Sequence, residues 1–253
     1  MIAITREISP AILTCELTHL PRTPIDLARA TAQHRQYEAR LAGAGCTIER
    51  LATTPTLADS VFVEDIAVVL DECAILTRPG AVSRRAETAA VADALARHRP
   101  LSVLEPPATL DGGDVLVVGR RVFVGLSART NRDGLGQVRR ILEPHGYDVQ
   151  GIRVEGCLHL KSAVTAISGD TLLVNRRWIP VEALGGFDLI DVDPAEPHAA
   201  NALRLGDAVI YPTGFPRTQA RIADLGVRVR TVDVGELAKA EGAVTCCSLI
   251  ISP

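Results

Sequence analysis

Cys246 and Cys247 open the last apolar run of the chain, Thr245-Cys246-Cys247-Ser248-Leu249-Ile250-Ile251. Read as a strand with a period of two, this run sends the two thiols to opposite faces. One can then sit in a core while the other lines a site. Buried free cysteine is common and inert, so the pair gains meaning only from partners. A thiol nucleophile needs a proton shuttle and a group that orients the shuttle. His159 lies in Leu158-His159-Leu160-Lys161-Ser162 at the head of an apolar run, and Lys161 and Ser162 make the position more polar than a core needs. The other histidines, His19, His34, His98, His145 and His198, fall mostly in helical or loop patterns that read as solvated. In Asp111-Gly112-Gly113-Asp114 the glycines suit a turn by themselves, and one carboxylate could orient a histidine.

Asp59, Glu64 and Asp65 lie close together beside apolar strands. Carboxylates so crowded repel one another unless a cation sits between them. A guanidinium, held by paired N–H donors, is such a cation. Asp59 alone reads more simply as part of a solvated turn. Arg84-Arg85 begins a helical pattern, where positive charge opposes the helix dipole, so at least one arginine needs another reason, such as holding an anion. Arg129, in Gly125-Leu126-Ser127-Ala128-Arg129-Thr130-Asn131, occupies the matching place one repeat later. Two arginines and an acidic cluster suit a zwitterionic amino acid with a cationic tail.

The elements that must position these residues recur. Strand-turn-strand phrases run over Ile66–Thr77, Asp114–Gly125, Ala163–Val174 and Ala202–Tyr211, each as two apolar runs around a short polar turn. Helical spacing of apolar residues predicts helices over Ile25–Leu41, Arg84–Arg97, Arg132–Leu142 and Arg217–Leu225. Asp65 and Asp114 are 49 positions apart, and Asp114 and Ser162 are 48 apart, a period that marks a propeller or solenoid unit. The last run lacks a hairpin partner of its own, and the N-terminal stretch from Ile2–Ile4 to Ala11–Leu13 could complete it. A last strand that needs the first implies a closed ring. An ordinary mixed α/β sheet with hairpins is the alternative. Thr14–Pro24, with Pro21 and Pro24, reads as a loop or lid.

Composition narrows the class. Hydrophobic residues make up 47% of the 253, with only 3% aromatic, so the expected core is aliphatic. A net charge of -3 without a basic block argues against nucleic acid. No run is long enough to span a bilayer, and Met1–Glu7 lacks a signal-peptide layout, so a soluble cytoplasmic protein is expected. The six cysteines show no C-x-x-C pair, and no histidines have zinc-ligand spacing, so free thiols and no structural metal are expected.

Six motifs, in order, resemble the dimethylarginine dimethylaminohydrolase family. They are Phe62-Val63-Glu64-Asp65, Arg78-Pro79-Gly80-Ala81-Val82-Ser83-Arg84-Arg85, Leu110-Asp111-Gly112-Gly113-Asp114-Val115, Gly125 to Asn131, Leu158 to Ser162, and Val244-Thr245-Cys246-Cys247-Ser248. The resemblance implies a five-bladed α/β propeller (the pentein fold) of pseudo-fivefold ββαβ repeats, as one catalytic domain over 1–253. It implies hydrolysis of Nω-methylated arginines to citrulline and methylamine or dimethylamine through a covalent thiouronium, with no metal or organic cofactor. By the same resemblance Cys246 matches the nucleophile, His159 the general acid and base, and Asp111 its orienting carboxylate. Glu64 and Asp65 match guanidinium-binding carboxylates, and Asp59 a contact to the substrate α-amino end. Arg84 and Arg129 match binders of the amino-acid part, Leu17 a lid residue, and Ala240 a backbone carbonyl donated to the site. Met1–Pro24 departs most from the family pattern. The implied partner is a small guanidino amino acid, and a homodimer is left open. The rival on the same fold is a deiminase of arginine or agmatine. A non-catalytic guanidine-binding protein is the rival of a different class.

Overall fold

In the computed structural model, which describes residues 1–252, fifteen strands form five three-stranded sheets. The first sheet is closed by both chain ends. β1 (Ile2–Arg6) pairs in parallel with β2 (Thr47–Leu51) after a crossover through helix α1 (Leu27–Gly43). The next three sheets follow in chain order. The second has β3 (Ala67–Val69), β4 (Ala74–Leu76), α2 (Thr88–Leu95) and β5 (Leu101–Val103). The third has β6 (Val115–Val118), β7 (Arg121–Leu126), α3 (Arg132–Leu142) and β8 (Asp148–Arg153). A one-turn helix α4 (Leu160–Ala163) leads into the fourth, β9 (Val164–Ala166), β10 (Thr171–Val174) and β11 (Asp188–Asp191). The fifth holds β12 (Leu203–Leu205), β13 (Ala208–Pro212), α5 (Pro216–Asp224) and β14 (Arg228–Val232). After a short α6 (Gly235–Ala238), β15 (Leu249–Ile251) returns antiparallel to β1, matching Ile2 with Ile251 and Ile4 with Leu249. The ring expected from the unpaired last run is therefore closed by hydrogen bonds.

Local chemistry explains the elements. Asp26 caps α1 by accepting from Arg29 N–H at 3.0 Å, and Asn131 caps α3 by accepting from Gly134 N–H at 2.8 Å. Pro216 begins α5, where its missing N–H costs nothing. Gly119 and Gly206 turn their hairpins at φ 58° and 60°.

The core is a torus of five seams rather than one central mass. Ile4, Leu249 and Ile251 of the first sheet pack on Val63, Ala74 and Leu95 of the second region. Ile75 and Val68 meet Val122 and Val138, Phe123 meets Leu172 and Val174, and Leu173 meets Val209 and Tyr211. Tyr37 and Leu41 of α1 close the circle against Ile210 and Val232. Each fully buried aliphatic in these seams contributes about 1.5–3 kcal/mol, so each blade draws stability from its neighbours. Along the ring axis the first strand of each hairpin lines a cavity of about 210 Å³, with Val68, Leu116, Thr165, Leu203 and Leu249 among its walls. All six cysteines are free, and among the described residues no helix is long and apolar enough to cross a membrane.

Four local expectations are corrected. Val244–Cys247 is a turn, not the start of a strand, which begins at Leu249. Cys247 is buried in the core and Cys246 half-buried toward the site, a separation made by the turn rather than by strand alternation. His159 precedes the helical turn α4 instead of heading a strand, because Leu160 N–H is taken by a side chain and not by a ladder. Ala11–Leu13 lies in the 3-10 turn Pro10–Thr14, nucleated by the Ser9 hydroxyl accepting from Ala11 N–H at 3.2 Å. The parallel outer strands β2, β5, β8, β11 and β14 escape the hairpin phrases because their faces are mixed and partly exposed.

Candidate active site

Residues from distant openings of the sheets converge on one small cavity at one end of the ring. Asp59, Asp65, Arg84, Asp111, Arg129, His159, Ala240 and Cys246 all line it. Glu64 and Leu17 do not. The Glu64 carboxylate faces the axial cavity, and Leu17 packs against the core beside the cavity mouth.

The glycines of Asp111-Gly-Gly-Asp114 are required by close approach. A Cβ on Gly113 would stand 2.6 Å from His159 Nδ1 and 2.7 Å from Asp65 Oδ1, and one on Gly112 would stand 2.0 Å from the Glu64 carbonyl. Gly113 N–H instead donates to Asp65 Oδ1 at 3.1 Å. His159 is thereby placed between two carboxylates, Nε2 at 3.1 Å from Asp111 and Nδ1 at 3.7 Å from Asp65. Burial alone would lower its pKa. The charge of Asp65, the hydrogen bond to Asp111 and the nearby Asp114 outweigh it and raise the imidazole to about 9. Asp111 is held in turn by Gly80 N–H at 2.8 Å.

The acidic cluster carries its own cations. Arg84 is buried and donates to Asp65 at 2.5 Å, to Glu87 at 2.9 Å, and to the carbonyls of Phe62 and Asp59 at 3.1 and 3.3 Å. Arg84 does not open a helix as expected: it lies in the last turn of the 3-10 helix Val82–Glu87, ahead of α2, and two of the protein's own carboxylates hold it. Glu64 accepts from Lys161 Nζ at 2.6 Å and from the Thr245 hydroxyl at 2.7 Å. This knot stands between the catalytic turn and the axial cavity. Asp65, Asp111 and His159 are the described residues that could hold a metal ion, with ligand atoms within 4.8 Å of one another.

The nucleophile turn is fixed from both sides. Glu64 N–H donates to the Cys246 carbonyl at 3.1 Å, and Ala243 N–H donates to Cys246 Sγ at 3.3 Å. Behind it, the buried Tyr37 hydroxyl donates to the Val244 carbonyl and pairs with Ser248, each at 2.7 Å. Burial, then Glu64 and Asp65, push the Cys246 thiol up, so it is neutral in the free site. Asp59 accepts from Glu16 N–H at 3.2 Å, and Arg129 donates to the Thr18 hydroxyl at 2.9 Å. Both groups near the mouth therefore touch the loop 15–26.

Three residues at the site went unassigned by motif reading. Asp114 accepts from Ser127 and Thr130 hydroxyls, each at 2.6 Å, and from Leu160 N–H at 2.8 Å. It ties the Arg129 loop to the segment after His159, and burial raises it to about 6. Its place in Asp111-Gly112-Gly113-Asp114, at the opening of a strand phrase, was the available signal. Glu87 pairs with Arg84 only three positions before it, and Glu241 carried no signal, since its partners Thr18, His19 and Leu20 meet it only in the folded chain.

A ring of five such sheets with a cysteine, a histidine and carboxylates at one end of its axis defines an enzyme of the pentein fold. The N-terminal domain of the arginine dihydrolase ArgZ shares that fold at TM-score 0.85 with 19% identity. The family model for N,N dimethylarginine dimethylhydrolase, eukaryotic, matches residues 22–251. The N(G),N(G)-dimethylarginine dimethylaminohydrolase of Pseudomonas aeruginosa is 39% identical over 88% of this chain and 89% of its own length. That of Streptomyces coelicolor is 39% identical over 98% and 95%. A cysteine-to-serine variant of the Pseudomonas aeruginosa protein, complexed with citrulline, superposes at TM-score 0.91 with 36% identity over 98% of this chain and 97% of that one. The chain belongs to the dimethylarginine dimethylaminohydrolase family.

Proposed function

We propose that this chain, as one catalytic domain, hydrolyses Nω-methylated arginines to citrulline and methylamine or dimethylamine. The observation that carries the reading is the convergence of Cys246, a charged His159 between Asp65 and Asp111, and two arginines on one cavity. Family membership supports the substrate class.

In this mechanism Asp65 offers its cavity-facing lone pairs to the guanidinium, and Glu64 adds negative potential behind the catalytic turn. Arg129 takes the α-carboxylate and Asp59 the α-ammonium, each exchanging a contact to the loop. Arg84 acts mainly by fixing Asp65, because most of its donors are already bound. Leu17 packs beside the mouth, on the loop that meets Asp59 and Arg129, and Ala240 lines the cavity.

His159 is already protonated at neutral pH, so it cannot accept the thiol proton. Docking of a cationic guanidinium beside Cys246 lowers the thiol pKa, and its proton leaves to solvent. The thiolate adds to the guanidinium carbon. His159 then gives its proton to the methylated nitrogen, which departs as a neutral amine as its C–N bond breaks. A thiouronium on Cys246 remains. Neutral His159 removes a proton from water, the hydroxide adds to the same carbon, and the C–S bond breaks to return the Cys246 thiolate; the new hydroxyl loses its proton to solvent, and citrulline is released with His159 protonated again.

The test is product identification by mass spectrometry after incubation with asymmetric dimethylarginine, monomethylarginine, arginine and agmatine. Citrulline and methylamines are expected, with Cys247→Ser close to wild type and turnover in Cys246→Ser reduced about 10⁴-fold or more. Ammonia from arginine or agmatine would replace the substrate assignment. Equal loss from both cysteine variants would overturn the nucleophile.

A further inference from the structure

Glu241 combines two features that nothing in the reaction above uses. It is the one non-glycine described residue at positive φ, 58°. Its carboxylate also receives three successive backbone N–H groups, from Thr18 at 2.7 Å on one oxygen, and from His19 at 2.6 Å and Leu20 at 2.9 Å on the other. Consecutive N–H groups turned to one point form an anion-binding concavity, here filled by a side chain. A left-handed glutamate persists only where its surroundings compensate for the strain. The neighbouring glycine cannot take over the strained position's role: a Cβ on Gly242 would lie 2.2 Å from the Phe62 ring, so glycine is needed there for packing.

The clasped segment crosses the catalytic mouth. Glu16 lines the cavity, its N–H donates to Asp59, and its carboxylate accepts from the Ser83 hydroxyl at 2.6 Å. The Thr18 hydroxyl meets Arg129, and Leu17 packs against the cluster holding Phe62 and Ala240. On its other flank Glu241 stands five positions before Cys246, in a turn where Ala243 N–H already donates to Cys246 Sγ. The residue lines both the catalytic cavity and an adjoining apolar one of about 320 Å³, which His19 and Leu20 help to roof. One carboxylate thus joins the nucleophile turn to the strap above it.

We infer that Glu241 is a positioning residue that latches the 16–20 strap over the catalytic cavity, and so controls how far the bound guanidine and Cys246 are shielded from water. The role rests on the catalytic reading of Cys246, but the latch itself can be measured without turnover. Its side chain has to be of full length, with both oxygens accepting, to reach three N–H groups. Gln replaces one acceptor oxygen by a donor, and Gly removes the side chain while relieving the backbone.

The experiment is amide hydrogen exchange at Thr18, His19 and Leu20 in the full chain, compared among wild type, Glu241→Gln and Glu241→Gly. Alongside it, iodoacetamide labelling of Cys246 is followed by peptide mass spectrometry, and KM and kcat are measured with asymmetric dimethylarginine. Both variants are expected to exchange these amides about tenfold faster or more, to label Cys246 faster, and to raise KM more than they lower kcat. Glu241→Gly is expected to do so without a fall in melting temperature, which a merely structural side chain would not allow. Wild-type exchange at 18–20 in both folded variants would overturn the latch. Absence of methylarginine turnover in the wild type, with exchange still accelerated in the variants, would leave the latch standing and remove the substrate assignment instead.

Discussion

His34 and His159 are both buried and both lie beside carboxylates, yet burial wins at one and charge at the other. On α1, His34 Nδ1 is 3.9 Å from Glu38, but Glu38 is already committed to Arg50 at 2.5 Å and to the Thr5 hydroxyl at 2.7 Å. Burial lowers the His34 pKa and the competing Arg50 helps, leaving Nε2 without a hydrogen-bond partner. At the ring axis His159 faces Asp65, Asp111 and Asp114. The guanidinium paired with Asp65, that of Arg84, is shared with Glu87. An imidazole becomes charged in a dry interior only where the surrounding anions exceed the cations already holding them. Such an excess is costly to bury. The helix packing of His34 avoids it, and the catalytic site retains it.

The widest separation between the two is expected in turnover. His159→Asn should lower kcat by about 10²–10⁴-fold, the usual share of a general acid and base, while His34→Asn should leave kcat within about twofold and act on stability alone. Equal losses of kcat in the two folded variants would break the contrast.

Stability against pH should show opposite slopes. His159 has a folded pKa near 9, above its ordinary value of 6.5, so its contribution is full below pH 6.5 and is lost as pH rises toward 9. His34 has a folded pKa below 6.5, so its contribution is present above pH 6.5 and lost as pH falls. Urea midpoints of the wild type, His159→Asn and His34→Asn across pH 5–10 would read this. The downward slope between 6.5 and 9 should flatten only in His159→Asn.

The smallest expected effect sharpens the cause. Arg50→Ala frees Glu38 to act on His34, so the His34 titration followed by NMR should move upward. Because the Arg50 side chain is 46% exposed, the stability change should stay within about 1 kcal/mol. An unmoved His34 titration would mean that burial, rather than competition for Glu38, decides its charge.

Legibility in the sequence followed how local each signal was. The apolar spacing alone marks helix α3 to the residue as Arg132–Leu142, because that signal lies within the segment. The hairpins were legible through their turns, and β15 through its missing partner. The parallel outer strands were not, since strands such as Thr47–Leu51 present mixed faces whose partners lie across a helical crossover. The motifs also named the residues that meet in the cavity, but not what each one touches. Glu64 turned to the axial cavity and Lys161, and Arg84 became a brace for Asp65.

Residue types, turn chemistry and the repeat determined the hairpins, the main helices, the ring and the set of reactive groups, because each depends on neighbours a few positions away or on a period along the chain. The charge on His159, the neutral Cys246 thiol and the clasp at Glu241 were decided only by the tertiary structure. Each depends on a balance of burial and opposing charges within a few ångströms, contributed by segments that meet only when the ring closes.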